Sequence, residues 1–142
     1  MGYVMAVDPG KITGWLVYQQ LQVVEAEDLA LKVVQWGEDD QQRFCELAEQ
    51  WVDRTSIPVV CERWDHRPGV RTFEPYSLEI IGTLRYLTGF DKRRFYLQSP
   101  GDAKEFGTAT KLAPYRAQGF GKGGAGHALD ALRHALLFES AR

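Results

Sequence analysis

Apolar positions along this chain fall into distinct patterns, and each pattern predicts its own kind of element. Val4, Met5, Ala6 and Val7 are apolar without alternation, as in a strand buried on both faces. Residues 13–18 (Thr-Gly-Trp-Leu-Val-Tyr) are rich in β-branched and aromatic types and predict a second strand, antiparallel to the first. Residues 21–24 and 31–36 are further strand candidates, of which only one need be a full sheet member; Glu25, Glu27 and Asp28 lie between them. Phe44, Leu47, Ala48, Trp51 and Val52 then recur at i, i+3, i+4, i+7 and i+8, an amphipathic helix. Asp39 or Asp40 opens it, with acids in the first turn favourable to the helix dipole.

Residues 58–62 (Pro-Val-Val-Cys-Glu) predict a short buried strand, and residues 63–73 a basic loop interleaved with aromatics. The helix Pro75–Leu87 carries Leu78, Ile81, Leu84 and Leu87, widened by Tyr76 and Ile80; such width predicts burial by the sheet and by a partner subunit. Residues 94–98 form a third parallel strand, and Ser99 with Pro100 is a helix opening, Ser at the cap and Pro in the first turn. Residues 104–126 are expected to be mobile. A last helix runs from 127 to about 139. Three strands, helix, strand, helix, strand, helix predict an α/β fold, a mixed sheet flanked by helices in one domain over residues 1–142.

Length and composition agree with this. A chain of 142 residues with 44% hydrophobic and 25% charged positions suits one soluble domain. No apolar run approaches the roughly 20 residues of a membrane span, and the first residues lack the basic-then-apolar pattern of a signal peptide. Cys45 and Cys61 lack metal or disulfide-framework spacing, so a reducing cytoplasm is expected. Net charge is only −2, but residues 1–62 hold four basic and eleven acidic residues. Residues 92–122 reverse this, with seven basic residues against Asp102 and Glu105, an electrostatic footprint suited to nucleic acid.

The candidate chemistry begins where the first strand ends, in Asp8-Pro9-Gly10. Pro9 keeps Asp8 in extended geometry, and Gly10 lets the chain turn. A carboxylate at the mouth of a central strand is costly unless paired or bound to a metal. Glu62 repeats the design, and parallel strands joined through a helix bring equivalent ends to one edge of the sheet. His127 and Asp130, three apart, share a face of the last helix. Three carboxylates and an imidazole suit magnesium or manganese, and two such ions could clamp an in-line phosphoryl displacement. Asp8 is the natural bridging ligand; His127 could ligate or orient the attacking water, with His134 a less favoured substitute. Arg63, Trp64, His66, Arg67, Arg71 and Phe73 follow Glu62 and offer phosphate contacts and base stacking. The 119–124 segment (Gly-Phe-Gly-Lys-Gly-Gly) fits a nucleotide-binding pattern, but no apolar strand precedes it, so it reads as a basic loop presenting Lys122.

These residues resemble the RuvC-type Holliday-junction resolvases of the ribonuclease H-like superfamily. Asp8-Pro9-Gly10-x-x-Thr13-Gly14 is similar to their first-strand signature, Glu62 to their second acid, and His127-x-x-Asp130 to their closing helix motif. The resemblance covers nearly the whole chain, whose compact size is that of phage-encoded members. It implies a five-stranded sheet with the first three strands antiparallel, Asp8, Glu62, His127 and Asp130 as the catalytic metal-binding set, and Lys104 and Lys111 near the scissile phosphate. It also implies a homodimer through the helix Pro75–Leu87. The function expected is a divalent-metal-dependent endonuclease resolving Holliday junctions or other branched DNA by paired nicks. Flap or RNA–DNA hybrid cleavage at the same site, or junction binding without catalysis, are the alternatives. An actin-like ATPase, which needs a second similar half, does not fit in 142 residues.

Overall fold

A computed structural model describes residues 2–20, 31–53, 57–64 and 75–141. The first strand, β1 (Val4–Asp8), is wholly buried. It pairs antiparallel with β2 (Ile12–Gln20), Asp8 standing opposite Gly14, and β2 pairs antiparallel with β3 (Leu31–Asp40). On its other side β1 pairs parallel with β4 (Val59–Glu62), which pairs parallel with β5 (Phe95–Gln98). The five-stranded sheet runs β3-β2-β1-β4-β5, so the strand that opens the chain is its centre. Of the two candidates for the third strand, 31–36 is the sheet member, extended to Asp40; residues 21–24 lie outside the described residues.

Helices cover both faces. On one lie α1 (Gln41–Ala48), continued by a single π turn Glu49–Asp53, and α2 (Pro75–Leu87); they bury Met5, Val7, Val59 and Cys61 together with Phe44, Val52, Ile80 and Leu84. On the other lies α5 (His127–Ser140), whose Ala128, Ala131, Leu132 and Ala135 pack on Val4, Ala6, Leu16 and Val60. Successive strand residues point to opposite faces, so the split of odd and even positions in β1 and β4 follows directly. Tyr18, on the α5 face, donates its hydroxyl hydrogen to Glu139 Oε2 at 2.7 Å, tying the sheet to the far end of that helix.

Two helix starts follow the sequence closely. Asp40 caps α1 by accepting from Arg43 N–H at 2.9 Å, so the acids precede the first turn rather than filling it. Ser99 caps α3 (Pro100–Phe106) by accepting from Asp102 N–H at 3.1 Å. One expectation is corrected. Residues 104–126 are not a mobile stretch: they hold the end of α3 and a further helix, α4 (Ala109–Ala117). Leu112, Tyr115 and Phe120 are buried there against the α5 side of the core, and Tyr115 Oη accepts from Leu31 N–H at 3.2 Å. Apolar residues spaced at 112, 115 and 120 anchor this segment; the glycines around them obscured the pattern. No helix among the described residues is long and apolar enough to cross a membrane.

Candidate active site

Face and register bring the two strand-end acids together. Asp8 shares the face of Val4 and Ala6, and Glu62 that of Val60, so both carboxylates project from the C-terminal edge toward α5. Val7 pairs with Cys61, which sets Asp8 and Glu62 side by side within hydrogen-bonding reach. The turn after Asp8 is held from two directions. Thr13 Oγ1 donates to Gly10 O at 3.1 Å, and Ser77 Oγ at the start of α2 donates to Pro9 O at 3.1 Å.

The first turn of α5 lies over this pair. His127 Nδ1 stands 3.8 Å from Asp8 Oδ2, close enough for electrostatic contact and too far for a hydrogen bond. Asp130, one turn on, adds its negative charge to Asp8 and is itself ion-paired with Arg133, whose Nε also donates to Gly107 O at 3.0 Å. The approach depends on Gly14. A methyl group on that residue would overlap the His127 carbonyl, so only glycine lets the helix end settle on β2 opposite Asp8. Glu38 of β3 completes the seating, accepting from Ala125 N–H at 2.7 Å and Ala128 N–H at 2.9 Å. Burial opposes its ionisation, but those backbone donors and the nearby His127 outweigh it and hold the Glu38 carboxyl below its usual range.

Charge is crowded here. Burial first, then Glu62 and Asp130, push Asp8 up to about 9, with only Lys104 pulling the other way. Glu62 moves oppositely: burial would raise it, but hydrogen bonds from His134 and Asp8, with the charge of Lys104, keep it low. The two carboxyls are hydrogen-bonded to each other and titrate as a pair. Among the described residues no three His, Cys, Asp or Glu side chains are already drawn into a coordination shell. Glu62 is instead engaged by His134 and Asp130 by Arg133. The donor set, hard carboxylate oxygens with an imidazole and a deficit of positive charge, fits magnesium or manganese rather than a soft ion.

Of the lysines, Lys104 on α3 bears on both carboxylates. Lys111 on α4 holds its ammonium 3.4 Å from the centre of the Phe106 ring, a cation–π contact. Lys122 is exposed on the glycine-rich turn beyond α4. Arg63 is exposed next to Glu62, with its N–H donating to Gln98 O at 2.8 Å. Trp64 packs half-buried against the α1–α2 face of the core. His66, Arg67, Arg71 and Phe73 lie outside the described residues. Sequence reasoning missed Glu38, Gln98, Arg133 and the true position of His134. The i+4 spacing of His134 from Asp130 was visible, but its partner on β4 was not.

No family model matches the sequence, and neither does any curated protein. Comparison of folds is more informative. The fowlpox virus Holliday junction resolvase aligns over 99% of this chain and 99% of its own, with a TM-score of 0.59 and 12% identity. The same viral resolvase in complex with its substrate Holliday junction DNA aligns over 98% of this chain and 99% of its own, with a TM-score of 0.57 and 8% identity. Over nearly its whole length, the chain shares the α/β fold of the fowlpox virus Holliday junction resolvase.

Proposed function

We propose that this chain is a divalent-metal-dependent endonuclease that resolves Holliday junctions or related branched DNA by paired nicks, acting as a homodimer. The observation that carries the reading is the pairing of Asp8 and Glu62 at the ends of adjacent parallel strands, beneath His127 and Asp130 of α5. The fold shared with a junction-bound viral resolvase supports the choice of substrate.

In this reading Asp8, Glu62, Asp130 and His127 would hold the ions, Asp8 being the most central of the set. Magnesium or manganese, two ions per site, would supply charge against the phosphate and an activated water for in-line attack. His127, half-exposed at the rim, is suited to orienting that water. Lys104 brings a fixed positive charge to the same edge, where negative charge develops on the departing oxygen. Arg63 and Lys122, both exposed, would hold phosphates of the bound DNA. Exposed Leu78 and Tyr86 on α2, with Phe90 just beyond it, support pairing of two copies through that helix.

The test is cleavage of a substrate panel (four-way junction, flap, RNA–DNA hybrid and linear duplex) with each metal, by wild type and by Asp8→Asn, Glu62→Gln and Asp130→Asn. Junction cutting lost in all three variants, with junction binding retained, is the expected result. Undiminished cutting by any one of them removes that residue from the site, and preference for flaps or hybrids redirects the substrate. Tight junction binding by a wild type that never cleaves would make the chain a binding module.

A further inference from the structure

His134 of α5 is buried, only 1% exposed, and nothing in the proposed reaction uses it. It lies one turn beyond Asp130, over the ends of β4 and β5. Glu62 and Gln98 are register partners on those strands, so their side chains leave the sheet together toward α5, and His134 bridges them.

The hydrogen-bond directions can be assigned. The Gln98 amide satisfies all its partners in one orientation: its –NH2 donates to His134 Nδ1 at 2.9 Å and to the His134 carbonyl at 3.1 Å, while its oxygen accepts from Phe138 N–H at 3.3 Å. Nδ1 is then an acceptor, the ring proton sits on Nε2, and Nε2–H donates to Glu62 Oε1 at 3.1 Å. One carboxylate oxygen of Glu62 is thereby held by a donor that cannot swing away, because the ring is buried and pinned at its other nitrogen. The same carboxyl group is within hydrogen-bonding reach of Asp8.

We propose that His134, fixed in its Nε2–H tautomer by Gln98, is a positioning residue that sets the rotamer of Glu62 and presents its second oxygen to a divalent cation shared with Asp8. This rests on the metal-dependent reading above and adds to it a residue that touches neither ion nor DNA. Outer partners of this kind typically govern affinity 10–100-fold by holding a ligand in place before the ion arrives.

Manganese binding to the folded protein, followed by the electron paramagnetic resonance signal of the unbound ion, tests this without any DNA or turnover. Three variants are compared with wild type, each checked for a cooperative thermal transition in chelator. His134→Leu removes the donor and is expected to weaken manganese binding 10–100-fold. His134→Gln puts an amide N–H near the place of Nε2 and is expected to recover most of that loss. Gln98→Leu leaves the ring but frees its tautomer, and is expected to weaken binding several-fold; it carries the test should His134→Leu fail to fold.

A merely structural histidine would shift the melting temperature and leave manganese affinity alone. Wild-type affinity in folded His134→Leu or Gln98→Leu, or no recovery in His134→Gln, overturns the inference while the metal site stands. A wild type that takes up no manganese overturns both.

Discussion

Gly14 of β2 lies directly beneath the carbonyl of His127, closer than any side chain would permit, and Gly14 is also the register partner of Asp8. One strand position thus determines how near the last helix comes to the first acid. Gly14→Ala is expected to push the N-terminal turn of α5 off the sheet, at a cost of about 1–3 kcal/mol typical of overpacking. The melting temperature should fall by several degrees and junction cleavage by more than the remaining folded fraction explains. An alanine variant with wild-type melting and cutting would show that the helix end can be seated elsewhere without loss.

Glu38 reaches α5 from the edge strand, and its carboxylate serves two backbone N–H groups at the helix start. Glu38→Ala leaves both without that acceptor. The expected loss is about 1 kcal/mol, as for other N-terminal caps, measured by urea denaturation at neutral pH.

Asp8 carries a cost in the absence of metal. Its folded-state pKa is raised, to about 9 from an ordinary 3.8, so between those values the folded state binds more protons than the unfolded one. Stability then falls as pH rises through that window. Asp8→Asn removes the titrating group. In chelator it is expected to melt higher than wild type at pH 8, with the gap closing toward pH 4. A variant less stable than wild type at pH 8 would contradict this sign.

Lys104 and Lys111 should separate cleanly in a cleavage assay. The charge of Lys104 is felt by both Asp8 and Glu62, while Lys111 is engaged with Phe106. Lys104→Ala is expected to reduce the rate about 10²-fold, the usual scale for removing one electrostatic stabiliser, and Lys111→Ala only a few-fold. Equal losses would place both lysines at the phosphate.

The parts of this design readable from sequence were those encoded locally. Unbroken apolar runs ending in Asp8 and Glu62 marked buried strands with a charge at the mouth, and a helical period carried His127 with Asp130. Parallel connection through a helix then put the two acids on one edge. The parts that stayed hidden depend on contacts across long stretches of chain. Glu38 meets the start of α5 some 90 positions later in the sequence, and His134 meets Glu62 at a separation of 72. No local pattern distinguishes such an acid from a solvated one. The segment 104–126 was misread for a different reason: its glycines masked the few apolar residues, Leu112, Tyr115 and Phe120, that pin it down.

The register that sets Asp8 beside Glu62 is complete once the sheet has formed, yet it holds only part of the proposed ligand set. His127 and Asp130 arrive only when α5 docks across Val4, Ala6, Leu16 and Val60. A chain with its sheet assembled but that helix detached would lack His127 and Asp130 at the edge that carries Asp8 and Glu62. Heat inactivation should accordingly run ahead of the loss of strand signal, and activity becomes a gauge of tertiary closure rather than of secondary structure. On the proposed nuclease reading this would be a safeguard: an incompletely folded copy would be harmless.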